Sequence, residues 1–277
     1  MKWIDTFGED YKVVQFDSIT DMAKFITENR DKRDWQILKS ASGVFCNNCT
    51  FDEAYNQMVY GYNCNQQVMD SVTDFFDMDF YGGSNLIMDV EGSAYDIGSV
   101  VQDIPECCIS DTTVEGKKYL RLVASVGFNS SVKSEHIINR GLAIAGLASS
   151  LLLKGYVVDL DFMMEYNPNL GKKAIFFLRV PTGLASSSMI AFFNSPQFLR
   201  KICIGVADFI LEEDINGNAT GIKDKKILDW FRKNSLYFED GYDINDNTLV
   251  EMMYKTPEKS KETIKKLFYN WLENKEK

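Results

Sequence analysis

A strand, a helix and a second strand follow one another within residues 119–166, and this succession constrains the fold more than any other feature of the chain. The first segment, YLRLVASV, and the last, YVVDLDF, are rich in β-branched and large apolar residues. The residues between them place apolar side chains at a helical period. A strand–helix–strand unit of this length forms a parallel pair with a right-handed crossover. The sequence therefore predicts an α/β protein.

The connection to a third predicted strand is short. Residues 167–173 contain Asn-Pro-Asn and Gly, which favour a tight turn, whereas a parallel crossover needs about a dozen residues. The strand at residues 174–180 is therefore predicted to be antiparallel to its neighbour. We assign residues 113–212 to a three-layer α/β core, either Rossmann-like or von Willebrand factor A-like. A mainly helical N-terminal region (residues 1–112) precedes this core, and a helical C-terminal region (residues 213–277) follows it.

Local signals predict where two of the helices begin and where one of them ends. Thr50, with Glu53 three residues later, has the pattern of a capping box. Ser134 is a suitable N-cap for the long helix of the core. Gly155 suits the left-handed position just after the end of that helix, because glycine has no Cβ to clash there.

The charge and the cysteine content exclude several classes of protein. The net charge of −10 argues against general affinity for nucleic-acid phosphates or anionic membranes. The first residues, MKWIDTFGEDYKVVQF, lack the cationic and apolar segments of a secretory signal, and the apolar segments stop before membrane-spanning length. We therefore expect a cytoplasmic protein whose six cysteines are thiols.

Cys46 and Cys49 have the spacing of half a zinc site. A second pair of ligands would be needed, and two of the other cysteines are adjacent in sequence, which makes them poor chelators of one ion. His136 is the only histidine, and we expect it on the surface at the start of the core helix. We favour thiols without a metal and keep zinc at Cys46 and Cys49 as the alternative.

Asp159 and Asp161 alternate along the second core strand, so both carboxylates point to the same side of the sheet. Ligands and metals in open α/β sheets collect at the carboxyl ends of parallel strands. With Glu165 nearby, a Mg²⁺ site for phosphodiester cleavage is one interpretation. The other, which we favour, places both aspartates at a solvent-facing or edge position of the strand.

Residues 127–131, GFNSS, follow the first core strand, where an α/β protein would bind an ion or a phosphate. Their spacing is similar to the Asp-x-Ser-x-Ser metal site of von Willebrand factor A-like domains. Gly127 stands at the Asp position and Asn129 at the middle Ser, and only Ser131 matches. Without the carboxylate we expect a metal-free site, and the glycine-rich phosphate loops GxxxxGK[ST] and GxGxxG are absent. Asn129 and Ser131 join the two aspartates as candidate ligand residues.

Four segments together resemble an uncharacterised family of phage and mobile-element proteins, a domain of unknown function. They are Cys49-Thr-Phe-Asp-Glu-Ala-Tyr with Tyr60-Gly61-Tyr62, residues 92–107, the core unit with Asn139-Arg140-Gly141, and Asn194-Ser-Pro-Gln-Phe-Leu-Arg200-Lys201. The usual Trp of the first motif is Tyr62 in this chain. The resemblance implies a phage-related origin and brings no catalytic residues.

We therefore expect a non-enzymatic protein without a cofactor that acts through contact with a protein partner. An assembly factor, a virion component and an inhibitor of a host process all fit, in the host cytoplasm if a phage encodes the protein, and a homo-oligomer is compatible with each role. We do not expect direct binding to nucleic acid or to a membrane. The alternative is a Mg²⁺-dependent phosphodiesterase or nucleotide-binding protein that uses the carboxyl edge of the core sheet. A zinc-stabilised adaptor is a third class.

Overall fold

In the computed structural model, the chain forms a mixed sheet of seven strands, a separate antiparallel sheet of three strands, and helices that pack against the larger sheet. The structure describes residues 2–3, 11–29, 48–61, 75, 86–89, 94–95, 108–111, 119–128, 132–167, 173–181, 187–211, 218–220, 227, 229, 236–237 and 253–275. The strands are β1 (Lys2–Trp3), β2 (Tyr11–Phe16), β3 (Leu86–Asp89), β4 (Ala94–Tyr95), β5 (Cys108–Asp111), β6 (Tyr119–Ser125), β7 (Val157–Asn167), β8 (Lys173–Pro181), β9 (Asn218–Thr220) and β10 (Leu236–Tyr237). The helices are α1 (Ile19–Asn29), α2 (Phe51–Tyr60), α3 (Ser134–Leu153), α4 (Ser187–Phe193), a π-helical segment (Phe198–Cys203) that continues into α5 (Ile204–Leu211), and α6 (Pro257–Lys275).

The strand–helix–strand unit predicted from the sequence is present. β6 and β7 are parallel and are joined by α3, and β8 is antiparallel to β7, as the short connection requires. The order in the large sheet is β1-β2-β8-β7-β6-β10, with β9 paired to β7. The α/β class is thereby confirmed. Strands from all three predicted regions enter this sheet. β2, from the N-terminal region, pairs with β8 of the core, and β10, from the C-terminal region, pairs with β6 of the core.

One face of the sheet carries the helices, and α3 lies at their centre. Leu122, Phe162 and Leu178 point to this face and share one apolar core with residues of α1 to α6. Both α4 and α6 pack against α3. The expectation that the apolar segments stop before membrane-spanning length was wrong for α3, which by length and composition could cross a membrane, but 78% of its apolar stretch is buried inside the protein. It is therefore the central helix of a globular core.

The opposite face of the sheet has a smaller apolar cluster. Val123, Met163, Ile175 and Phe177 point to this side and are buried together with Ile227. Because successive side chains of a strand point to opposite faces, charged and aromatic side chains of β6, β7 and β8 also point to this face. They lie before and after the apolar cluster along the strands. This face therefore has an apolar middle flanked by charged residues, with Tyr119 and Val157 at the amino ends of β6 and β7.

Two of the three predicted helix-boundary signals are confirmed. The backbone N–H of Glu53 donates to Thr50 Oγ1 (3.2 Å), and the backbone N–H of Thr50 donates to Glu53 Oε2 (2.7 Å), which completes the capping box. Gly155 has φ 80°, which glycine adopts without strain. The prediction of Ser134 as an N-cap was wrong. The N-cap is Lys133, whose backbone is extended, and Ser134 is already the first helical residue.

Candidate functional site

Two of the motifs noted in the sequence meet at the carboxyl end of β6. Arg140 of α3 is fully buried, and its Nη1 donates to the Ser125 carbonyl (3.1 Å) and to Asn194 Oδ1 (3.0 Å). Asn194 follows α4, and its Nδ2 donates back to the Ile190 carbonyl (3.3 Å). The guanidinium group therefore connects the end of β6 to the end of α4, and Arg140 is 54 residues from Asn194 in sequence.

Gly141 allows α3 and the end of α4 to approach closely. A Cβ at this position would lie 2.7 Å from Asn194 Cβ and 3.2 Å from the Ala191 carbonyl oxygen, too close for any other residue without a shift. Its neighbour Asn139 donates to the Tyr254 carbonyl (3.2 Å). Asn139, Arg140 and Gly141 thus hold α3 against the segments on either side of it.

Two further cationic side chains are buried in the protein. Arg200 and Lys201, in the π-helical segment, are buried almost completely. His136 is only 5% exposed, so the prediction of a surface position was wrong. The physical reason is the central position of α3, which is buried around most of its circumference. A sequence pattern could not show this, because it depends on helices that are distant along the chain.

The structure describes only some of the candidate ligand residues at the carboxyl edge of the sheet and only some of the cysteines. Asn129, Ser131 and Cys46 lie outside the described residues, so their assignments stay predictions. Cys49 is a buried free thiol. Burial also raises the pKa of the Cys203 thiol well above its usual range. Among the residues that the structure describes, no group of three or more His, Cys, Asp or Glu side chains could hold a metal ion.

Asp161 lies on the face of the sheet opposite the helices, between two arginines. Nε and Nη2 of Arg121 donate to Asp161 Oδ2, with Nε at 2.7 Å, and Arg179 Nε donates to Asp161 Oδ1 at 3.1 Å. The hydrogen bond to Asp161 raises the pKa of Arg179. The Asp161 side chain is 2% exposed and β7 lies between β8 and β6, so the favoured solvent-facing or edge position was wrong for Asp161, because two long-range arginines cover it. Its carboxylate therefore forms the centre of an ion-pair cluster, and both cations compete with any metal ion for it.

Asp159 lies on the same face as Asp161, as the alternation predicted. Asp159 Oδ2 accepts a hydrogen bond from the Tyr119 hydroxyl (2.9 Å). Burial raises the pKa of that hydroxyl, and the hydrogen bond to Asp159 raises it further. Ser125, the last residue of β6, is opposite Met163, so both aspartates precede the carboxyl edge. Glu165 lies beyond this edge, and its Oε1 is 3.4 Å from Lys173 Nζ.

Three exposed apolar residues lie near the amino ends of β6 and β7, and we call them the amino-edge patch: Tyr119 and Val157 on the face opposite the helices, and Leu153 at the end of α3 on the helix side. Tyr119 and Val157 are opposite each other at the first positions of β6 and β7, and they are 56% and 42% exposed. Leu153 ends α3 four residues before Val157 and is 37% exposed. Tyr60 is the fourth exposed large apolar residue of the described chain. The sequence did not reveal the patch, because these residues belong to segments that read as core.

Replacing Asp161 by alanine should lower the free energy of unfolding by about 2 kcal/mol, because it removes the buried carboxylate to which both Arg121 and Arg179 donate. We discount the effect expected for a fully buried pair because both arginines are partly exposed. Urea denaturation measures the change. Asp159→Ala is the matched control and should cost less than about 1 kcal/mol, since it removes one partly exposed hydrogen bond. Equal losses in the two variants would contradict the central position of Asp161.

The model of a protein family described as "Domain of unknown function (DUF7192)" matches residues 8–262. The match covers most of the chain, including the motif residues around Arg140 and Asn194 and the whole amino-edge patch. No curated protein and no solved structure matches the chain.

Proposed function

We propose that this chain, which belongs to the DUF7192 family, is a non-enzymatic protein that acts by binding a protein partner through the amino-edge patch. The observation that carries the proposal is the patch itself. Tyr119 and Val157 are exposed next to each other at the amino ends of β6 and β7, and Leu153 is exposed at the end of α3, four residues before Val157. Contiguous exposed apolar surfaces mark interaction sites, and tyrosine is enriched at the centres of protein interfaces.

The contacts of the buried polar residues support a binding role over catalysis. Arg140 and Asn194 bind each other and the backbone, and Asp161 binds Arg121 and Arg179. In each of these contacts the side chain joins secondary-structure elements, and a group engaged in this way is a poor acid, base or nucleophile.

The order of the central strands supports a von Willebrand factor A-like core as the finer description of the fold. β6, α3 and β7 form the parallel crossover, and β8 lies beside β7 in the antiparallel direction, as in that fold. In this chain β2 pairs with the other side of β8, so the antiparallel strand lies inside the sheet and not at its edge. The sequence resemblance supports a phage-encoded protein that acts in the host cytoplasm.

Affinity capture from the source cell tests the proposal. The full-length chain should recover a partner that is depleted at least about tenfold, equivalent to 1.4 kcal/mol, when Leu153 and Val157 are both replaced by glutamate. Tyr60→Glu is the matched control, because it adds a charge at an exposed aromatic residue outside the patch, and it should recover the partner normally. Equal recovery by the patch variant and the control would exclude the patch as the binding surface.

Titration calorimetry with Mg²⁺ or Mn²⁺ separates the proposal from the alternative of a metal-dependent phosphodiesterase or nucleotide-binding protein. We expect no saturable heat. Stoichiometric binding that disappears in Asp161→Ala, but survives in the Leu153 and Val157 double variant, would favour the alternative. Elemental analysis of the purified protein tests the third class, a zinc-stabilised adaptor. We expect no stoichiometric zinc, and one zinc ion per chain would favour the adaptor over the proposal.

A further inference from the structure

We draw no further inference here: the strongest candidate, the exposed apolar surface of the amino-edge patch at the start of β6 and β7, belongs to the site already described, and nothing in the part of the chain that the structure describes shows what covers it.

Discussion

Replacing Gly141 by leucine is expected to lower the free energy of unfolding by about 3 kcal/mol, at the upper end of the usual cost of overpacking a core. Leucine is a good helix former, so the loss would come from space alone. The new side chain would begin 2.7 Å from Asn194 Cβ and 3.2 Å from the Ala191 carbonyl oxygen. The end of α4 must then move away from α3, and Arg140 loses its contact with Asn194. Urea denaturation followed by circular dichroism measures the change.

A double-mutant cycle isolates the cause of this loss. Gly141→Ala should cost about 1–2 kcal/mol in the parent chain, and clearly less when Asn194 is also glycine, because the atom nearest to the new Cβ has been removed. Asn194→Gly alone also removes the hydrogen bond from Arg140. The double-mutant cycle subtracts this cost, because the single variant Asn194→Gly is measured separately. Strictly additive costs of the two substitutions would show that the close approach of α3 to Asn194 is not the constraint on residue 141.

Replacing Arg140 by methionine is expected to lower the free energy of unfolding by about 3 kcal/mol, because the Ser125 carbonyl and Asn194 Oδ1 would lose a charged donor in the protein interior. Arg140→Lys should recover little of this, since an ammonium group on a flexible stem does not reproduce the planar fork. Arg121→Met is the matched control. It removes an arginine from the partly exposed cluster and should cost about 1 kcal/mol.

Partner binding separates a structural role of Arg140 from a role in a binding site at the carboxyl end of β6. Below its unfolding transition, Arg140→Met should recover the partner as well as the parent chain does, because Arg140 is fully buried and away from the amino-edge patch. Loss of partner binding by a folded Arg140→Met protein would instead make the carboxyl end of β6 a functional site.

The parts of the fold that could be predicted depend on neighbouring residues. The crossover between β6 and β7 followed from an apolar helical period between two strands, and the direction of β8 followed from the shortness of residues 167–173. The capping box at Thr50 needs only a residue three positions away. Each of these signals lies within one element or one loop, and the sequence expresses it directly.

The environment of the candidate site depends on partners that are far apart in sequence, so it could not be predicted. Asp161 meets Arg179 and Arg121, which are 18 and 40 residues away, and only the strand register brings them together. The aspartates were expected on one side of the sheet, and they are, but the register places them before the carboxyl edge of β6. The exposure of Val157 likewise depends on what covers the second face of the sheet.

Hydrogen exchange of the captured complex tests the central claim most directly, since it locates the partner on the chain. With the partner bound, amide exchange should slow at the start of β6 and in residues 153–159, and it should be unchanged in α4 and the π-helical segment. Slowed exchange confined to residues 126–136, with no change at Val157, would contradict the account and return the binding site to the carboxyl edge of the sheet.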